Sequence, residues 1–203
     1  IDFVNYPSES ILIGDSRTDA LPIDLIKKYT NKNFKKINTN ATKLNEIFDL
    51  FYFSNSIKKI KTVVIGINFS MFNKFSYENR VNNVIKIIQN PLLYIFNKDV
   101  FEANFYVLRS FLFNVDLNSK PLLNKEDFWK WTINIKSNHW YGRYEHPEKL
   151  LEELIEFDEF TKKNNINVIF INVPHHNDFH KKLISYNLKN EEMILKYILI
   201  EYK

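Results

Sequence analysis

Six consecutive residues, Thr62-Val63-Val64-Ile65-Gly66-Ile67, narrow the architectures open to this chain. They are mostly β-branched and nearly continuous in apolar character, without the polar alternation of a strand that wets one face, so they read as a strand covered on both faces. Such strands belong to parallel sheets, whose neighbours are joined by crossovers, usually helices. The flanking sequence supplies that pattern. Ser10 to Ile13 is a short apolar run ended by Gly14-Asp15-Ser16-Arg17, and Pro22 then opens an amphipathic segment from Ile23 to Tyr29. A weaker strand at Phe34 to Ile37 stops at Asn38-Thr39-Asn40-Ala41-Thr42, after which Leu44, Ile47, Phe48 and Phe51 recur at helical spacing. Glu148 to Lys163 is a strong amphipathic helix with Leu150, Leu151, Leu154, Ile155, Phe157 and Phe160 as its buried face, and it feeds a fourth strand from Asn167 to Val173, ended by Pro174. Strands alternating with helices predict an α/β fold with a central parallel sheet, helices on both sides and right-handed crossovers.

Between the third and fourth strands the rhythm changes. Residues 75–146 carry long helical patterns, including Val81 to Gln89 and Val100 to Phe113, then a stretch with Trp129, Trp131 and Trp140. This is too long for a plain crossover and reads as an inserted helical cap, with the aromatic run from Phe101 to Phe113 as its core. The 203 residues, 45% hydrophobic and 26% charged, suit one α/β domain with one substantial core. The segment from Phe179 to Lys203 is mixed and ends in an apolar stretch, Met193 to Ile200. The chain opens at Ile1 with no signal-like segment before it, as if cut or processed from something longer, so an export signal or anchor would lie outside it.

Several function classes drop away. The longest apolar runs span six or seven residues, such as Thr62 to Ile67 and Asn167 to Val173, against the ~20 a bilayer requires, so no membrane span is expected. Without cysteine there is no thiol nucleophile, disulfide framework or cysteine-held metal, although the compartment stays open. The net charge of +4 comes from lysines scattered among 27 asparagines and 25 isoleucines, a bias of A+T-rich coding rather than a concentrated patch for nucleic acid. With three glycines in all, and neither Gly-x-Gly-x-x-Gly nor Gly-x4-Gly-Lys-Ser/Thr, no nucleotide cofactor is expected. Nor is a metal, since no HExxH motif or cysteine pair accompanies the histidines.

Ligands in parallel α/β sheets sit beyond the carboxyl ends of the strands, and two polar groups of interest fall there. Gly14-Asp15-Ser16-Arg17 places a serine hydroxyl at the sheet edge with amide donors close by, a geometry suited to nucleophilic attack and equally that of an ordinary strand-to-helix turn. Gly66-Ile67-Asn68 puts a carboxamide just past the third strand, where it could donate to a developing oxyanion while Gly66 permits close backbone approach. Asparagine is also a common turn residue. The pair, in this order on successive sheet units, is more specific than either alone.

Gly14-Asp15-Ser16 and Gly66-Ile67-Asn68 resemble the first and third blocks of the SGNH or GDSL hydrolase superfamily. The Ser-Arg-Thr continuation and the Val-Val-Ile-Gly-Ile strand look most like bacterial envelope proteins related to those of alginate acetylation and D-alanyl transfer. The resemblance covers about 1–72 and 148–180 and leaves the cap unmatched. It implies a flavodoxin-like three-layer α/β/α fold, Ser16 as acyl-accepting nucleophile, and Asn68 with the Ser16 amide as oxyanion donors, with Asp15, Arg17 and Gly66 in the surrounding site. It further implies a cell-envelope or extracytoplasmic setting and a membrane acyltransferase as possible partner. The family's second block supplies a glycine amide, for which the Ala41 N–H stands in here. The fifth block, Asp-x-x-His, has no match. Its nearest counterparts are in Pro174-His175-His176-Asn177-Asp178-Phe179-His180, with His176 the preferred base and His175, Asp178 and His180 as substrate-contacting or turn residues. Alternatively, the acid and base lie beyond Lys203. His139 and His146 flank Trp140-Tyr141-Gly142-Arg143-Tyr144, a stretch suited to stacking on sugar rings or to packing. The expected function is a serine esterase or O-acyltransferase for an acylated carbohydrate or another envelope ester, the alternative being an inactive module of this fold that binds glycan or a partner.

Overall fold

The computed structural model describes residues 2–76, 80–95, 97–113, 124–174 and 176–202. The chain begins with α1 (Asp2–Asn5), β1 (Ser10–Gly14), α2 (Ile23–Thr30), β2 (Lys35–Asn38), α3 (Leu44–Ile57) and β3 (Thr62–Ile67). Helices α4 (Arg80–Gln89), α5 (Leu92–Ile95), α6 (Lys98–Phe113), α7 (Lys125–Trp131) and α8 (Ser137–Tyr141) follow, then α9 (Leu150–Lys163), β4 (Asn167–Asn172), α10 (Asn177–Ser185) and α11 (Lys189–Glu201). No helix among the described residues is long and apolar enough to cross a membrane.

The strands form an all-parallel sheet in the order β2-β1-β3-β4. This is the doubly wound order of flavodoxin-like folds. Central strands β1 and β3 are buried along their whole length, which accounts for the unbroken apolar run at 62–67, whereas edge strands β2 and β4 are no more than half-buried. β2 starts one residue later than the periodicity predicts, because its half-buried residues carry a weaker pattern.

A right-handed connection from β1 out to β2 places α2 on one face, while the connections β2 to β3 and β3 to β4 run the other way and place α3 and α9 on the opposite face. The packing agrees. Leu12, Val64 and Phe34 form a buried cluster with Ile169 and Ile171, covered by Leu21 and by Ile26 of α2. Ile11, Ile13, Val63 and Ile65 have the opposite strand parity and are fully buried. On α3 and α9, Phe48 stacks on Phe157 at 4.7 Å, and Phe51 meets Phe157 edge-on at 4.9 Å. The result is a three-layer α/β/α arrangement. Because the chain leaves β1 and β3 in opposite directions, their carboxyl ends flank the topological switch point.

The chain divides into two compact units, Ile1–Glu78 with Ile133–Lys203, and Asn79–Thr132. The first holds the sheet together with α8 and the Trp140 to Tyr144 stretch, so residues 133–146 go with the α/β layers and the helical insert is smaller than the sequence rhythm suggests. Residues 179–201, mixed in sequence, are most of α10 followed by α11. In the second unit the reading of Phe101 to Phe113 as core does not hold: Phe101, Phe105, Phe111 and Phe113 are all exposed. Helix α6 carries apolar side chains over most of its circumference, broken by a stripe of Lys98, Glu102 and Arg109.

Candidate active site at the sheet switch point

Where β1 ends, the Gly14 carbonyl accepts from the Thr39 amide at 3.2 Å, holding the loop after β2 against the first turn. Asp15, 3% exposed, folds its carboxylate back so that Oδ1 accepts from the amides of Arg17 at 2.9 Å and Thr18 at 3.4 Å. This turn starts the 3-10 segment Thr18–Ala20 and leaves Ser16 exposed at its apex. Ser16 opens onto a depression lined by Asp19, Lys36, Asn38, Thr39 and Asn40. Every lining side chain is polar. Lys36 Nζ donates to the Asp19 carbonyl and sits 3.7 Å from its carboxylate, which also accepts from Asn38 Nδ2 at 3.3 Å.

Thr18, fully buried, is wedged between the two glycine motifs. A Cβ built on Gly14 would lie 2.1 Å from Thr18 Oγ1, and one built on Gly66 would lie 2.2 Å from it. Neither glycine has a positive φ, so both are required by close approach alone. Gly66 does allow something to come near, as its sequence suggests, but the space is filled by Thr18.

Asn68, 2% exposed, follows β3 and reaches across to the first motif: its Nδ2 donates to Asp15 Oδ2 at 2.9 Å. The Ser70 hydroxyl donates to Asn68 Oδ1 at 2.6 Å and accepts from Arg17 Nη2 at 3.4 Å, while Arg17 Nε donates to Asp15 Oδ2 at 3.0 Å. Lys43, also buried, brings its Nζ to 3.5 Å from the Ser70 carbonyl and donates its amide to the carboxylate of fully buried Glu46. Ser70, Thr18 and Lys43 escaped the sequence reading; the single cue was that Ser70 sits two residues after Asn68. Ala41 has φ 54°, the left-handed conformation that favours glycine.

The histidine loop is arranged otherwise. His175 lies outside the described residues. His176 caps α10: its Nδ1 accepts from the Asp178 amide at 3.3 Å and lies 3.3 Å from Asp178 Oδ2. With one proton to place on that nitrogen, the cap and the carboxylate contact are exclusive roles. His180 is in the first turn of the same helix and half-buried. Among the described residues no imidazole is hydrogen-bonded to the Ser16 hydroxyl, so Asp15, Ser16, Arg17 and Asn68 are brought together and His176, Asp178 and His180 are not joined to them by any hydrogen bond in this structure.

The aromatic stretch is packing rather than an open platform. Tyr144 stacks on Phe69 at 4.3 Å and Trp140 meets Phe179 at 5.4 Å. Burial pushes the Tyr141 phenol up to about 12 despite the opposing effect of Arg17, and burial with Glu191 nearby raises Tyr144 far above its usual range. The Tyr144 hydroxyl is 3.3 Å from His146 Nδ1, and His146 Nε2 is 2.9 Å from Glu191. Chemically, the switch point offers an exposed hydroxyl beside a buried network that holds a carboxamide and a guanidinium. Comparison with family models, curated proteins and solved structures finds no match for this chain.

Proposed function

We propose that this chain is an SGNH-like serine esterase or O-acyltransferase acting on an acylated carbohydrate or another cell-envelope ester. The observation that carries the reading is the 2.9 Å hydrogen bond joining Asp15 of the first motif to Asn68 of the third, with exposed Ser16 beside it at the switch point. In this reading Ser16 Oγ attacks the acyl carbonyl, and the Ser16 amide and the second N–H of Asn68 Nδ2 receive the charge that develops on oxygen. Ala41 supports it too, since it adopts the backbone conformation that suits the glycine of the family's second block. The polar depression beside Ser16 suits hydroxyl-rich substrates and offers no apolar wall for a long acyl chain. The acceptor of the Ser16 proton is His176 or a neighbour in its loop.

Turnover of a small ester, p-nitrophenyl acetate, tests the reading. Ser16→Ala abolishes it while circular dichroism stays unchanged, and Asn68→Ala lowers kcat by roughly a hundredfold or more, as expected for one oxyanion donor. Turnover undiminished in Ser16→Ala would eliminate the mechanism.

A second reading is a catalytically inactive module of this fold that binds glycan or a membrane acyltransferase. The capping role of His176 favours it, because the histidine preferred as base is then engaged at a helix end rather than at the Ser16 hydroxyl. In that case the wild-type chain turns over no ester yet retains a glycan.

A further inference from the structure

Four side chains at the switch point close a ring. Asn68 donates to Asp15, Ser70 donates to Asn68, Arg17 donates to Ser70, and Arg17 donates again to Asp15. The direction of each bond is fixed. A guanidinium cannot accept, so Ser70 Oγ must accept from Arg17, and its one proton then goes to Asn68 Oδ1. That in turn fixes which end of the Asn68 amide is oxygen and which is nitrogen. One N–H of Nδ2 is spent on Asp15, and the other is what the amide retains for a substrate oxygen. Asp15, Asn68 and Ser70 are at least nine-tenths buried, where hydrogen bonds strengthen one another and a broken one leaves its partners unsatisfied.

We propose that Ser70 is a positioning residue: through the Asp15–Asn68–Ser70–Arg17 ring it sets the orientation of the Asn68 carboxamide and holds Arg17 at the mouth of the site. The catalytic part of this inference rests on the acyl-transfer reading, whereas the ring itself does not.

The test compares Ser70→Ala, Ser70→Thr, Asn68→Ala and the Ser70→Ala/Asn68→Ala double variant of the full chain. With p-nitrophenyl acetate, Ser70→Ala is expected to lower kcat by about tenfold with KM within about twofold, the pattern of an interaction realised in the transition state. Ser70→Thr, which keeps the hydroxyl, restores most of the activity. Once Asn68 is gone, removing Ser70 costs less than about twofold more, because the two act as a unit. An independent readout is NMR exchange of the Arg17 Nε proton and the Asn68 side-chain amide: slow in the wild type and in Ser70→Thr, and at least about tenfold faster in Ser70→Ala. Should Ser70→Ala fail to fold, Arg17→Ala substitutes for it, since it removes both donors that join Asp15 and Ser70 and the Asn68 amide signal must change in the same way. Equal exchange in the wild type and these variants, or fully additive kinetic losses, overturns the proposal. A wild type that exchanges slowly but hydrolyses no ester removes the acyl-transfer reading and leaves the ring standing.

Discussion

Thr18 joins the two motifs by volume rather than by hydrogen bonding. Its side chain is fully buried, and its Oγ1 has no hydrogen-bond partner, yet it occupies the space that Gly14 and Gly66 leave open. Gly66→Ala would set a methyl group 2.2 Å from that oxygen, so one of them must move. A destabilisation of about 1–3 kcal/mol is expected, the usual cost of overpacking. Thr18→Ala removes the two nearest atoms and leaves its Cβ at 3.0 Å, so it should recover much of the loss. Urea unfolding of both single variants and the double variant checks this: a coupling above about 1 kcal/mol is predicted, and additive effects would refute the wedge. None of this was legible in sequence. A threonine ahead of a helix reads as a turn or cap residue, and the glycines it requires appear to serve the serine and the asparagine. The position of Asp15, Ser16 and Asn68 at strand ends was legible because each follows an apolar run that takes in one of the chain's three glycines.

At the scale of elements, β1 and β3 were readable because burial on both faces leaves no polar position to blur the pattern, whereas β2, half-buried at an edge, shifted by one residue. The long α9 was equally plain, although it starts at Leu150 after the turn from Pro147 rather than at Glu148 and leaves Leu151 and Ile155 of the expected buried face exposed. What periodicity could not supply is which helices share a face. That follows from crossover handedness and is realised by Phe157, which sits against Phe48 and Phe51 with 1% exposure. Phe157→Ala should cost about 3–5 kcal/mol, as for other buried aromatic truncations. Thermal or urea unfolding measures it, and a loss below about 1 kcal/mol would mean that α3 and α9 do not rely on that contact. Because Phe157 packs against Phe48 and Phe51 and takes no part in the polar ring, the variant should keep its ester turnover at temperatures where it stays folded.

Taken as a whole, the described residues fall into one unit with a four-stranded parallel sheet and its helices and a second, helical unit whose longest helix exposes most of its aromatic residues. The α/β unit was predictable, since alternation of strand and helix leaves few topologies once handedness is imposed. The insert was not, because an apolar helix with period 3.6 looks the same whether or not anything covers it. The candidate site lies in the first unit, at the switch point, where groups separated by 53 residues meet in one buried ring. The histidine loop is the part least resolved by sequence: Pro174 to His180 reads as a source of catalytic imidazoles, and the structure uses His176 to cap a helix. Whether Ser16 is nonetheless an activated nucleophile is decided by treating the full chain with a fluorophosphonate probe and mapping the adduct by mass spectrometry. A single adduct on Ser16, absent from Ser16→Ala, is the predicted result; an unmodified chain, or an adduct on another residue, would contradict it.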